Sequence, residues 1–275
     1  MRINQENKPN IAGIYNSWIH SENDKNVGER YVGKEKYYHA SGANMCIRKH
    51  YFATHPEIPK TNESDMIGQR VMRLGTLFHN DMEIALNWYK EKKSLTNRKE
   101  TINKLIYNNT NTSSNSTIEL IDNIELVDTE GEIILPDLNV RGFYDVVFKM
   151  KTGEVFLYDF KTIRAYGYKL KFGRLENRKI DKVPTHEVQL ATYGLGVKEK
   201  YGRLDGMFLF YFNKDSAMCK EKEVNLEFMD VAKDYWREVN ELTQGSVPPP
   251  VREDESPLQS WECNYCNYAT YCQEN

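Results

Sequence analysis

Two aspartates and a lysine on adjacent segments are the side chains best placed to do chemistry in this sequence. Asp159 and Lys161 follow one another at alternate positions in residues 155–161, and Asp145 lies in the preceding segment, 140–150. Successive side chains of a strand point to opposite faces, so Asp159 and Lys161 would share one face. Two carboxylates with a lysine beside them can hold a divalent cation.

The connection between the two segments decides whether the acids meet. Residues 151–153 end in glycine and have the length of a three-residue hairpin loop, whose last position favours glycine in the left-handed conformation. With this loop Met150 pairs with Glu154, and Asp145 comes directly opposite Asp159. A two-residue loop would put the acids on opposite faces. Another alternative is that these residues form an ordinary solvated face.

Two helical segments supply further polar side chains. His79 and Glu83 are four residues apart and share a helix face, and His79 would complete a metal site, as would the backbone carbonyl of Phe160. Gln189 and Tyr193 are also four apart and would orient a phosphate or a water molecule. Each pair has a structural alternative. A lone histidine is commonly a hydrogen-bonded surface or core residue, and an amide and a phenol suit the polar edge of an amphipathic helix.

Four cysteines are distributed as one isolated residue and one cluster near the end of the sequence. They are Cys46, Cys263, Cys266 and Cys272. This distribution predicts a four-ligand metal centre that joins the two ends of a domain. Both zinc and an iron–sulfur cluster are open on the residues alone, because a C-x2-C pair occurs in either kind of site. The fifth cysteine, Cys219, is expected to be an ordinary strand residue.

A basic segment with interleaved aromatic residues follows the second strand. Its candidate nucleic-acid contacts are Arg164, Tyr166, Tyr168, Lys169, Lys171 and Arg174. Cations can track a phosphate backbone and rings can stack on bases, which predicts contact with single-stranded nucleic acid. The alternative is a solvated linker. Because the net charge is −3, binding to nucleic acid would depend on such a local face.

The hydrophobic pattern predicts mixed helices and strands around these residues. Helices are predicted over 67–92, 184–201 and 227–244, and strands over 118–127, 132–135, 140–150, 154–162, 206–212 and 218–224. Residues 1–40 show weak periodicity, and the polar low-complexity stretch 107–117 is predicted to be a loop. A chain of 275 residues with 40% hydrophobic side chains can bury a sizeable core.

The sequence gives no signal for secretion or for the membrane. Its first ten residues are polar, and no apolar run approaches the roughly 20 residues that a membrane span needs. Five cysteines without a secretory signal favour metal binding or free thiols in a reducing compartment. We therefore expect a cytoplasmic protein that does not associate with a membrane.

The motifs in their chain order resemble a known family. Gly75-x-x-x-His79, Asp145, Asp159-x-Lys161 and Gln189-x-x-x-Tyr193 resemble the successive motifs of RecB-like PD-(D/E)XK nucleases. With the four cysteines, the chain resembles the iron–sulfur branch, which includes the CRISPR-associated exonucleases and the nuclease domain of AddB-type helicase–nucleases. The resemblance covers about residues 40–272, and the polar insert 107–117 departs from it. The sequence has no G-x-x-x-x-G-K-[ST] loop for ATP.

The resemblance implies a fold and a cofactor set. The expected fold class is α/β (α+β), with a restriction-endonuclease-like core, a mixed central sheet flanked by helices, and one nuclease domain over residues 1–275. The terminal regions 41–66 and 245–275 would be joined at a 4Fe–4S cluster held by the four cysteines. His79, Asp145, Asp159 and the Phe160 carbonyl would hold Mg²⁺ or Mn²⁺.

The resemblance also implies an activity. Asp145, Asp159, Lys161, Gln189 and Tyr193 would be catalytic, with Lys161 stabilising negative charge during phosphodiester hydrolysis. The expected enzyme is a deoxyribonuclease, and specifically an exonuclease acting on single-stranded DNA or DNA ends in recombination, repair, phage DNA metabolism or CRISPR adaptation. Integrase, recombinase or helicase proteins are the expected partners. The alternative is a catalytically inactive nucleic-acid-binding subunit with a structural zinc or iron–sulfur site.

Overall fold

A computed structural model describes residues 10–31, 37–62, 65–95, 123–174, 184–250 and 259–274. Within these residues, six strands form one mixed sheet. The strands are β1 (Tyr38–His39), β2 (Ile124–Leu135), β3 (Val140–Met150), β4 (Val155–Ile163), β5 (Gly206–Asn213) and β6 (Cys219–Val224). The mixed sheet and its flanking helices confirm the expected α/β fold.

The sheet is built around β3 and β4. β2 pairs antiparallel with β3 along its whole length, so the strands β1 and β4 share the other edge of β3. β1 runs parallel to the beginning of β3, whereas β4 runs antiparallel to its end. β5 then pairs in parallel with β4, and β6 pairs antiparallel with β5.

Helices cover both faces of this sheet. They are α1 (Ile11–Tyr31), α2 (Ile47–Thr54), α3 (Met66–Leu95), α4 (Ala165–Phe172), α5 (Thr185–Tyr201), α6 (Phe228–Thr243), α7 (Gln259–Asn264) and α8 (Ala269–Glu274). Single-turn 3-10 helices occupy Ala40–Gly42 and Pro136–Leu138. Among the described helices, none is both long enough and apolar enough to cross a membrane.

The larger core lies between the sheet, α5 and α6. The buried positions of α6 recur every three or four residues and make one apolar face, which includes Ala232, Trp236 and Val239. Trp236 is fully buried, and its indole N–H donates a 2.9 Å hydrogen bond to the Thr192 hydroxyl of α5. Because α6 covers α5 in this way, α5 is held as a buried helix directly on the sheet.

The opposite face of the sheet packs against α3. Alternation along β4 and β5 sends Phe160 and Phe210 to this face, where they join Phe78, Met82 and Leu86 of α3 in a second apolar cluster. The side chains of α3 are spaced for this packing at three- and four-residue intervals. α3 and α5 therefore approach the middle of the sheet from its two faces.

The predicted elements agree with most of this architecture. The helices expected over 67–92, 184–201 and 227–244 correspond to α3, α5 and α6, and the strand expected over 140–150 is β3. The strands expected over 154–162, 206–212 and 218–224 correspond to β4, β5 and β6. The predicted loop 107–117 lies outside the described residues.

One expectation about the strands is corrected, and the structure adds helices that the pattern did not predict. The segments 118–127 and 132–135 were expected to form two strands, but residues 124–135 form the single strand β2. The weakly periodic beginning of the chain contains the 21-residue helix α1. After α6, the short helices α7 and α8 were not predicted. Short helices that lack a long apolar repeat leave little signal in the hydrophobic pattern.

Candidate active site

The hairpin that joins β3 and β4 has the predicted register. Gly153 adopts a φ of +98°, and the Met150 N–H donates a 2.8 Å hydrogen bond to the Glu154 carbonyl. The ladder between the two strands continues to the pair Val146 and Tyr158. This pairing is the one that a three-residue loop dictates, so the predicted register is confirmed.

The strands separate immediately beyond this pair. Asp145 and Asp159 are the next residues in register, but the backbone pairing of β3 with β4 ends before it reaches them. Instead, the Asp145 carboxylate accepts a hydrogen bond from the backbone N–H of Phe160. The N–H and C=O groups of a strand residue point to the same side, so the Phe160 carbonyl faces the same opening. We call this opening, bounded by Asp145, Asp159 and Phe160, the fork.

α3 places His79 at the fork. Its Nδ1 lies 3.2 Å from the second carboxylate oxygen of Asp145. The helix can come this close because Gly75 faces β4: a Cβ on Gly75 would lie 3.3 Å from the Thr162 hydroxyl oxygen. Burial lowers the pKa of His79, but the hydrogen bond to Asp145 and the charges of Asp145 and Asp159 outweigh it and leave the pKa above its usual value.

Asp159 and Lys161 form the second half of the fork. Asp159 is 2% exposed, and Lys161 Nζ lies 2.7 Å from its Oδ2 as an ion pair. Burial raises the pKa of Asp159 and the nearby charge of Asp145 raises it further, whereas Lys161 acts in the opposite direction. The two aspartates therefore repel one another across the fork, and a cation there would relieve this repulsion.

α5 continues the polar contacts away from Lys161. Lys161 Nζ donates a 3.0 Å hydrogen bond to Gln189 Oε1, and Gln189 Nε2 donates a 2.8 Å hydrogen bond to the Tyr193 hydroxyl oxygen. A Cβ on Gly142 would lie 2.7 Å from the Tyr193 ring, so glycine at this position of β3 lets the phenol sit against the strand. Burial raises the pKa of Tyr193, and the charge of Asp159 raises it further, so its O–H remains protonated.

Comparison with known protein families identifies the superfamily to which this chain belongs. The sequence from residue 38 to residue 273 matches the family described as the PD-(D/E)XK nuclease superfamily. The chain belongs to this superfamily. No curated protein matches the sequence with significance. Among solved structures, this chain is similar to the one described as the crystal structure of SSO0001, with a TM-score of 0.50 and 15% sequence identity. The match covers 95% of this chain and 96% of that chain. This likeness extends to the fold alone.

The donor groups at the fork suit the divalent cation that the superfamily uses. Mg²⁺ and Mn²⁺ prefer oxygen ligands, which the two carboxylates and a backbone carbonyl supply, and Mn²⁺ also accepts imidazole. Across the described part of the chain, however, no three His, Cys, Asp or Glu side chains stand together as a ready-made metal site. At the fork, each acid is instead engaged by a neighbour: Asp145 by His79 and the Phe160 N–H, and Asp159 by Lys161.

The four predicted cysteine ligands lie around one cavity. Cys46, Cys263, Cys266 and Cys272 line a space of about 470 Å³ between α2 and the terminal helices. Burial raises the pKa of Cys263, and the charges of the three other thiols raise it further. As they stand in the described part of the chain, these thiols do not form a ready-made metal site. The Cys46 N–H also donates a 3.1 Å hydrogen bond to Glu262 across this space. The structure thus brings the isolated cysteine to the cluster, while the identity of any bound group remains a prediction.

The candidate nucleic-acid contacts fall on or beside α4. Tyr166 is 71% exposed, and Arg164, Lys169 and Arg174 are also exposed. Tyr168 is different, since it is buried and packs against Phe172 at a ring distance of 5.0 Å. The burial of Tyr168 leaves no ring face for a base, whereas nucleic-acid contact by the exposed candidates stays a prediction.

Sequence reasoning missed two basic residues on β6. Lys222 Nζ forms a 2.6 Å ion pair with the buried Glu187 of α5, and Lys220 Nζ lies 5.6 Å from the centre of the Phe172 ring. The alternating pattern Lys220-Glu-Lys222 could have shown that both lysines share one face of the strand. Sequence reasoning also missed Glu262, whose carboxylate accepts the hydrogen bond from the Cys46 N–H. The sequence gives no signal for this contact beyond the position of Glu262 next to Cys263.

Proposed function

We propose that this chain is a metal-dependent deoxyribonuclease that acts as an exonuclease on single-stranded DNA or DNA ends. Superfamily membership implies a nuclease with a DNA substrate. The observation that carries the proposal is the fork, where Asp145, His79, Asp159 and Lys161 come together from two strands and a helix. A catalytically inactive subunit is disfavoured, because each side chain that the chemistry needs lies at this one place.

Each residue at the fork has a distinct part in the proposed reaction. Asp145, Asp159, His79 and the Phe160 carbonyl would hold Mg²⁺ or Mn²⁺. The bound cation would activate a water molecule and offset the charge of the phosphate under attack. Lys161, whose ammonium is held between Asp159 and Gln189, stabilises negative charge on the phosphate.

Gln189 and Tyr193 complete the proposed set from α5. Gln189 accepts from Lys161 and donates to Tyr193, so it fixes the direction of both neighbours. The Tyr193 hydroxyl receives the amide hydrogen and keeps its own proton for another acceptor. In the proposed complex this acceptor is a phosphate oxygen of the bound strand. Replacement of Gln189 would therefore disturb both Lys161 and Tyr193.

Asp159→Asn provides the first test. The substitution keeps the shape of a buried side chain and removes its charge, so digestion of end-labelled single-stranded DNA with Mg²⁺ or Mn²⁺ should fall by roughly a hundredfold or more. Asp137→Asn is the matched control, because Asp137 is an exposed residue of the turn before β3. Wild-type digestion by Asp159→Asn would overturn the proposed chemistry, and loss of activity in both variants would point to a cause outside the fork.

We further propose that the four cysteines hold a 4Fe–4S cluster. The support is a set of four neighbouring thiols around a space of about 470 Å³, with one ligand distant in sequence from the other three. Anaerobically purified protein should be coloured and contain iron. Cys272→Ser should lose iron, whereas Cys219→Ser should keep it, since Cys219 is exposed on β6. A colourless protein with stoichiometric zinc would replace the cluster by a zinc site.

The proposed biological setting is DNA processing in recombination, repair, phage DNA metabolism or CRISPR adaptation. It is supported by the resemblance of the ordered motifs and cysteines to the iron–sulfur branch. In this setting the partners are integrase, recombinase or helicase proteins. Affinity purification of the Asp159→Asn variant with DNA present should retain such a partner, and recovery of none under crosslinking would count against the setting.

A further inference from the structure

A row of side chains on α3 leads away from the fork. Arg70, Arg73, Thr76 and His79 follow one another at intervals of three residues, and residues three apart are neighbours on the surface of a helix. Thr76 is exposed and both arginines are half-buried, so solvent reaches the row along this length. At a rise of 1.5 Å per residue, Arg73 lies about 9 Å and Arg70 about 14 Å from His79 along the helix axis.

α1 holds both arginines in position. The side-chain oxygen of Asn16 accepts hydrogen bonds of 3.0 Å from Arg70 Nε and 2.6 Å from Arg70 Nη2. The guanidinium group of Arg73 lies 4.6 Å from the centre of the Trp18 ring, which is a cation–π contact. Neither contact supplies a negative charge. The two guanidinium groups are therefore fixed in place while their charge stays uncompensated by these neighbours.

The guanidinium of Arg73 also keeps its hydrogen-bond donors. Its Nε is buried without a hydrogen-bond partner, and among the described residues no acid forms an ion pair with Arg73. Asp65, the acid just before α3, instead accepts a hydrogen bond from the Gly68 N–H. A guanidinium held in this way suits a phosphate, whose oxygens can accept two parallel N–H groups at once.

The aromatic rings beside the arginines are open to solvent. Trp18 is 42% exposed and Tyr15 is 39% exposed. The two rings are nearly parallel, with 19° between their planes and 5.9 Å between their centres. Single-stranded nucleic acid is bound by cations that follow its phosphates and by rings that stack on its bases. The junction of α1 and α3 offers both kinds of group on one accessible surface.

We infer that a single nucleic-acid strand runs from the fork along α3 to α1, with phosphates bound by Arg73 and Arg70 and a base stacked on Tyr15. The inference rests on the proposed function for the position of the cleaved phosphate at the fork. The 14 Å between His79 and Arg70 corresponds to about four nucleotides at roughly 3.4 Å each.

The first test measures how strongly binding depends on salt. The probe is a fluorescein-labelled oligothymidylate, titrated without divalent metal so that binding is separated from cleavage. Each phosphate contact to a single strand contributes about 0.7 to the slope of log affinity against log salt. Arg73→Gln should therefore reduce the slope by about 0.7, and Arg70→Gln with Arg73→Gln by about 1.4. Between 50 and 200 mM salt, wild-type protein should then lose about sevenfold more affinity than the double variant.

The matched control is the double variant Lys198→Gln with Arg237→Gln. It removes the same charge from exposed positions of α5 and α6, which lie across the sheet from α3. The control should keep the wild-type slope. Arg73→Gln alone leaves the hydrogen bonds between Arg70 and Asn16 intact, so its slope reports the phosphate contact with α1 still attached.

The second test separates bases from phosphates. An abasic strand of the same length carries the phosphates alone, so wild-type protein should bind it more weakly than the oligothymidylate. Tyr15→Ala should weaken binding of the oligothymidylate by about fivefold or more, lose this preference and keep the wild-type slope, because a ring contact releases no counterion. Ile14→Ala, which removes an exposed apolar side chain from the same helix, should keep the preference.

The results also separate this inference from the proposed function. An unchanged slope in both arginine variants, or an equal change in the control, overturns the strand path even if wild-type protein digests DNA. Equal affinity of wild-type protein for the two strands also overturns it, because it would show binding of an anion without its bases. The predicted changes in a protein that does not digest DNA with Mg²⁺ or Mn²⁺ would support the strand path and defeat the proposed nuclease activity.

Discussion

The ion pair between Lys161 and Asp159 makes a prediction about stability as well as about catalysis. The side chain of Asp159 is 3% exposed and that of Lys161 is 16% exposed, so the pair is shielded from solvent. Lys161→Met would keep most of the aliphatic stem and remove the ammonium. The buried Asp159 carboxylate would then face Asp145 without its compensating charge. Cleavage should fall by a hundredfold or more, because a preorganised positive group at the phosphate is lost.

The size of the stability change follows from this burial. Removal of one partner from a buried ion pair typically costs about 3–5 kcal/mol, because the remaining charge is left without compensation. At roughly 2–4 °C per kcal/mol for a chain of this size range, the melting temperature of Lys161→Met should fall on the order of 10 °C without divalent metal. Added Mg²⁺ or Mn²⁺ should raise it more in the variant than in wild-type protein, since a cation would replace the missing charge.

The pH dependence has a definite sign. The pKa of Asp159 in the folded protein is already raised by burial and by Asp145, and the loss of Lys161 raises it further. A raised carboxyl pKa means that the folded state is favoured at low pH, where Asp159 is protonated, and loses stability as pH rises through that pKa. The variant should therefore approach wild-type stability in acid and fall below it at neutral and alkaline pH.

Thermal melting between pH 5 and pH 8, with and without divalent metal, checks these expectations. Asp159→Asn combined with Lys161→Met should recover stability, because neither charge then remains buried. Lys149→Met is the matched control: its ion pair with Glu125 links the adjacent strands β2 and β3 but is exposed, so its loss should cost less than about 1 kcal/mol. A Lys161→Met protein that melts with wild-type protein at pH 8, or that Asp159→Asn fails to rescue, would refute the reasoning.

Two further predictions concern a buried histidine of α2 and a glycine of β3. His50 Nε2 lies 3.0 Å from the Gly42 carbonyl, which can only accept, and 2.9 Å from the Tyr235 hydroxyl oxygen. Burial lowers the pKa of His50 from 6.5 to about 4, so wild-type protein should lose about 2 kcal/mol more stability than His50→Gln in urea unfolding between pH 7 and pH 5; equal losses would contradict this. Gly142→Ala would press a methyl group against both Ala40 and the Tyr193 ring and destabilise the fold by about 1–3 kcal/mol. DNA digestion, measured at a temperature where the variant stays folded, should also fall; full activity would contradict the expectation that this displacement of Tyr193 disturbs the reaction.

The parts of the site that were predictable from sequence are those that short-range rules control. A three-residue loop ending in Gly153 determines which residues of β3 and β4 face one another, and this register was predicted. The four-residue spacing of Gln189 and Tyr193 likewise predicted that they share one face of α5, where they are hydrogen-bonded to each other. Both depend on backbone geometry within one element or one hairpin, which the local sequence specifies.

The fork itself depends on longer-range packing. The register places Asp145 opposite Asp159, but it does not show that the strands part there or that the Phe160 N–H is satisfied by a side chain. β1 and β4 share one edge of β3, and this topology is not readable from a local pattern. For the same reason, the burial of Tyr168 on α4 escaped a prediction based on alternating basic and aromatic residues.

Side-chain contacts attach α2 and β1 to the main core independently of the four cysteines. His50 hydrogen-bonds to Tyr235 of α6, and the Tyr38 hydroxyl lies 2.5 Å from the Thr243 hydroxyl, so α2 and β1 are attached to the main core without help from a metal centre.

The terminal helices have weaker support. Tyr268 packs in a small cluster with Tyr51 and Phe52, and the backbone of Thr270 is held by Asn62. Since this cluster is much smaller than the main core, the proposed 4Fe–4S cluster would contribute more to the free energy that holds residues 259–274 in place. Loss of that group should therefore release the terminal helices first, while β1 continues to pair with β3 four residues before Asp145 and the fork keeps its geometry.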